Sequence, residues 1–162
     1  MGVCLLKNKR EEILLNYNLN EIYSGFHGII KSLLQTTAHY FIAKEKGYNQ
    51  LANTLIKRVV DKLEFCFILT ALSEKIGAQV KILNKKENVF ESYMENKKFY
   101  KRHVSTILIE QVLCDLLIIK SCESVIRRYQ NQNVIIALEQ IVNKTRQGLD
   151  EIICTYNLKV FS

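Results

Sequence analysis

Proline does not occur once in these 162 residues, and glycine occurs only six times. A proline inside a helix costs about 3 kcal/mol and a glycine about 1 kcal/mol relative to alanine. A chain without the first and nearly without the second is free to run in long, unbroken helices. With 48% apolar residues and a length sufficient to bury a full core, the expected fold class is all-α, in one domain.

Apolar spacing of helical period divides the chain into four segments, bounded by Asn or Gly rather than by strand-type turn pairs. The spacing predicts α1 from about Asn20 to Lys46, after an N-terminal extension over residues 1–18, and α2 from about Asn49 to Ile76. A polar stretch over residues 78–98 follows, then α3 from about Phe99 to Gln130, a short "NQN" turn, and α4 from about Val134 to Tyr156. The inner face of α1 is expected to carry Ile22, Phe26, Ile29, Ile30, Leu33, Thr37 and Tyr40. Short α1–α2 and α3–α4 turns make antiparallel hairpins. The long middle link can run the length of a bundle as a crossover that leaves α2 and α3 parallel.

Two heptad seams lie on α2. One passes through Leu51, Leu55, Arg58, Lys62, Phe65, Leu69, Leu72 and Ile76; the other passes through Ala52, Ile56, Val59, Leu63, Cys66 and Thr70. Together they make more of the helix apolar than one four-helix interior can cover. A homo-oligomer is therefore expected.

The α1–α2 region, residues 38–77, reads "AHYFIAKEKGYNQLANTLIKRVVDKLEFCFILTALSEKIG". It resembles bacterioferritin, in the ferritin-like superfamily, from the end of that family's first helix through its second, and the similarity extends more loosely over residues 19–157. The resemblance implies a ferritin-like four-helix bundle with one long crossover between α2 and α3, assembling as a dimer or cage. That family binds two metals with a Glu on the first and third helices and a Glu-x-x-His on the second and fourth. Laid on that pattern, the positions fall on Ile29 in α1, Lys62 and Phe65 in α2, and Thr145 and Gly148 in α4. Asp115 is the one acid on the inward seam of α3. Shifting the pattern gives Phe26 on α1, or Asp61 and Glu64 on α2, and restores no site.

The three histidines, His27, His39 and His103, follow Ser24, Thr36 and Tyr100 by three residues, so Glu-x-x-His is absent. Leu63 stands where the family's haem-ligating methionine would be, and Met1 and Met94 are the only methionines. Neither metal nor haem is expected as a cofactor, ferroxidase activity is not expected, and no short fifth helix is expected. A bundle that loses two metals must replace both a volume and a charge. Phe65 is expected to fill the space beside Gly148, and Arg58 or Lys62 to pair with Asp115.

The resemblance thus implies a non-catalytic iron-storage-family subunit, alone or beside active ferritin-like subunits. A different reading, from charge, is a metal-free binding module. The formal charge is +7, and Lys97, Lys98, Lys101 and Arg102 cluster around the expected start of α3, where free backbone N–H groups favour an anionic partner. No stretch has the length and apolarity of a membrane span, and the start lacks a secretory pattern, so a cytoplasmic location is expected. Gly2 and Cys4 would suit acylation, but Leu6 replaces the usual Ser or Thr. The cysteines in the helices, Cys66, Cys114, Cys122 and Cys154, are expected as small buried hydrophobes. His27 and His39 have no carboxylate at helical spacing and are expected at a surface or interface.

Overall fold

A computed structural model describes residues 25–75 and 103–158, and all regular structure among these residues is α-helical. The described part of α1 covers residues 25–45. The others are α2, Asn49–Lys75, α3, Val104–Ile126, and α4, Gln132–Tyr156. They form a four-helix bundle. Ile22, the N-terminal extension with Gly2 and Cys4, and the 78–98 stretch lie outside the described residues.

The α1–α2 turn is made by glycine chemistry. Gly47 has φ +74°, a left-handed value that costs an L-residue about 1–2 kcal/mol. Its N–H donates to Lys44 O at 3.1 Å, and that of Tyr48 donates to Ala43 O at 2.8 Å. This paired pattern closes the last turn of α1. Asn157, φ 48°, ends α4 in the same manner, with Leu158 N donating to Ile153 O at 3.1 Å. Asn131 begins α4 by accepting from Asn133 N at 3.0 Å.

Expected and observed bounds differ most at α3. The helix starts at Val104 rather than Phe99, because His103 is extended (φ −75°, ψ 155°) and takes the N-cap position. α3 also ends at Ile126, so the turn to α4 is longer than "NQN".

Side-chain pairs give the packing order. Gln35, Thr36 and His39 of α1 meet Glu110 and Gln111 of α3. Lys57, Asp61 and Glu64 of α2 meet Glu151 and Lys144 of α4, rising along one helix as they fall along the other. The first α2 seam is buried from Leu51 through Leu72 over its described length, as expected. On the second seam only Ala52 and Val59 are buried, while Ile56 and Leu63 are exposed.

The inner face of α1 departs from expectation. Ile29 is buried, but Phe26, Ile30, Leu33, Thr37 and Tyr40 are only partly covered. The buried stripe instead runs through Ser32, Thr36, His39 and Ala43. The helix is rotated so that polar groups meet polar partners on α2 and α3, and part of its apolar surface turns outward. Among the cysteines, Cys122 is buried and Cys66 and Cys114 are half-buried, but Cys154 is exposed, which corrects its expected burial.

Phe65 is completely buried. Its replacement by alanine is expected to lower the unfolding free energy by about 3–5 kcal/mol in urea denaturation. A loss below about 0.5 kcal/mol would be the behaviour of a surface residue.

Candidate functional site

The largest fully buried side chains of the bundle are charged. Arg58 and Lys62, one turn apart on α2, are 1% and 0% exposed, and Asp115 on α3 is 0% exposed. The expected pairing of cations with Asp115 is present. Arg58 Nη2 donates to Asp115 Oδ2 at 2.8 Å, and Lys62 Nζ lies 3.2 Å from Asp115 Oδ1. Gln111, one turn before Asp115, donates from Nε2 to the same Oδ1 at 3.1 Å. Arg58 Nη1 also donates to Asp61 Oδ2 at 2.8 Å, at the edge of the bundle.

The network reaches α1 through Thr36. Lys62 Nζ donates to Thr36 Oγ1 at 2.7 Å. The hydroxyl has one proton and two acceptors within reach, Gln111 Oε1 at 2.9 Å and the Ser32 carbonyl at 2.8 Å. When the proton goes to Gln111, the bonds form a closed ring from Lys62 to Thr36, Gln111, Asp115 and back. Beside it, His39 Nε2 is completely buried and lies 3.0 Å from Glu110 Oε2. The expected surface or interface role for His39 is thereby corrected; the carboxylate comes from α3, not from its own helix. His27 is exposed, as expected.

The fourth helix joins through a missing side chain. A Cβ added at Gly148 would overlap the guanidinium of Arg58. Arg58, rather than the expected Phe65, therefore occupies the space beside Gly148. Thr145 is buried and satisfies itself by donating to Ile141 O at 2.7 Å. Ile29 is buried at another place, lining a cavity with Leu69, Ile118 and Leu138. The α1 side chain bonded to Lys62 is Thr36.

Burial pushes the pKa of Lys62 below its ordinary 10.5; Asp115 opposes this shift and the charge of Arg58 adds to it. Removing two cations from water is expensive, and the return depends on each remaining donor and acceptor being bonded. Here nearly all are, although Arg58 Nε is buried without a partner.

A pair of metal ions does not fit this donor set. Ile29, Phe65 and Gly148 offer no side-chain ligand, and Lys62 and Arg58 place cationic groups against the carboxylate that a metal would need. Among the described residues, no group of three His, Cys, Asp or Glu is placed to hold an ion. The expected anion cluster, Lys97, Lys98, Lys101 and Arg102, lies outside the described residues; His103, next to it, is exposed and makes no side-chain cap bond.

Sequence patterning did not single out Thr36, Gln111 or the His39–Glu110 pair. A signal for them exists: polar residues at 32, 36 and 39 share one face of α1, and Gln111 and Asp115 share one face of α3. The chain matches no protein-family model and no curated protein.

Asp115→Asn would leave Lys62 without its counter-charge and is expected to cost about 3–5 kcal/mol in denaturant unfolding. Adding Lys62→Met should recover part of that loss, because the unpaired cation is removed too. The proton linkage of Lys62 has a definite sign. Between its lowered folded pKa and 10.5, the unfolded chain holds the proton more tightly, so stability from this group rises with pH. The unfolding free energy of the wild type minus that of Lys62→Met should therefore climb as pH approaches 10.5; a flat difference would contradict the assignment.

Proposed function

We propose that this chain is a metal-free, ferritin-like bundle similar to bacterioferritin, acting in the cytoplasm as a non-catalytic assembling subunit, alone or beside active subunits. The observation that carries the reading is the Arg58–Lys62–Asp115 network, set at the level where the family pattern puts its metal ligands on α2 and α3. The pairing order supports it. α1 turns back directly into α2 and also lies antiparallel to α3, so α2 and α3 run in the same direction. Parallel neighbours of this kind fit a bundle with one long crossover between them.

Assembly is supported by the outer face of α2. Ile56, Val60, Leu63 and Phe67 form one exposed stripe, with Phe67 74% exposed. No helix among the described residues is long and apolar enough to cross a membrane. The stripe is symmetric in sequence. An antiparallel two-fold contact sets Val60 of one copy against Leu63 of the other, and Ile56 against Phe67, as a self-complementary dimer interface requires.

Light scattering and elemental analysis after exposure to ferrous iron under air test the reading together. A dimer or larger assembly with no iron retained is expected, and Phe67→Glu should shift it to monomers. A monomeric wild type, or a cage retaining many irons per chain, would overturn it.

A further inference from the structure

A cavity of about 720 Å³ opens between α1 and α3. That volume lies within the roughly 300–1,000 Å³ typical of small-molecule sites. Its walls are apolar where they are deepest: Ile29, Leu69, Ile118, Val125 and Leu138, from all four helices.

Two features make it more than a packing defect. Gly25 and Gly28, one turn apart on α1, line it, and a Cβ built on either meets nothing within 4 Å. Glycine is among the poorest helix formers, and no neighbouring helix requires it here by close approach. The two residues keep space open. The second feature is the charge of its lining.

Charge selects the ligand class. The described lining contains two lysines, Lys31 on α1 and Lys120 on α3, and no acid. Both lysines are exposed, so a head group held by them stays at the mouth. We infer that the α1–α3 cavity binds a free long-chain carboxylate, with its alkyl chain between the helices and its head group on Lys31 and Lys120. The site is independent of the metal-free assembly proposed above.

Calorimetric titration of the full chain with laurate, below the concentration at which the amphiphile aggregates, tests the inference. Dodecyltrimethylammonium carries the same chain length and the opposite charge. Saturable binding of one laurate per chain is expected, at least tenfold tighter than the cationic analogue. Gly28→Leu fills the cavity and should weaken laurate binding at least tenfold without lowering the melting temperature. Gly25→Leu provides a second blocking variant if the first melts lower. The Lys31→Glu, Lys120→Glu double variant should abolish the preference for the anion.

Absence of saturable laurate binding would overturn the inference, as it would if the chain's own residues or a second copy filled the space. Equal affinity for the two head groups, or binding unchanged in both glycine variants, would do the same. Binding only to vesicles containing phosphatidylglycerol, and not to free laurate, would mean a membrane surface contact and would also overturn it.

Discussion

The carboxylate of Asp115 is the point on which the bundle is registered. It receives Arg58 and Lys62 from α2 and Gln111 from its own helix, while Lys62 carries the connection on to Thr36 in α1. Arg58 presses against Gly148 and so fixes where α4 can lie. An apolar core tolerates sliding between helices better than this arrangement does, because a shift by one turn would leave buried charges without partners. Such a network is a weak source of net stability and a strong penalty on every alternative register. The surface pairs Lys57–Glu151 and Lys144–Glu64 lie along the same α2–α4 seam, but exposed pairs contribute only about 0–1 kcal/mol each.

Much of this architecture is legible in the amino-acid sequence. The lack of proline and the helical spacing locate four helices, and the first seam of α2 is the buried one. The presence of Arg58 and Lys62 on that seam, with a lone acid on the seam of α3, is enough to expect an ion pair. Helix rotation is not legible in the same way. Ranking α1 by apolar content puts Phe26, Ile30 and Leu33 inside, whereas the helix turns its Ser32–Thr36–His39 stripe inward because those groups have partners waiting on α2 and α3. Local apolarity carries no information about a polar partner on another helix.

The same limit explains the exchange between Phe65 and Arg58. Both lie on the buried seam of α2, and both are candidates for space in the middle of the bundle. By volume alone, a ring is the natural filling for the space beside Gly148. The planar guanidinium fills that space instead, and it also delivers charge to Asp115 from the same position. One side chain thus fills the space beside Gly148 and carries charge to Asp115, while Phe65 is buried as a core aromatic. The outward turn of α1 and the exposed stripe of α2 are the complementary result: apolar surface that the polar core does not use is presented on the outside.

The proposal that cations of the chain itself stand where a ferritin-like bundle would hold metal ions is tested most directly by thermal unfolding of the wild-type protein titrated with ferrous iron and with zinc. A ligand that binds only the folded state raises the midpoint with its concentration. The account predicts an unchanged midpoint across the titration. A midpoint that climbs with metal, and stops climbing in Asp115→Asn, would place a metal in the core and contradict it.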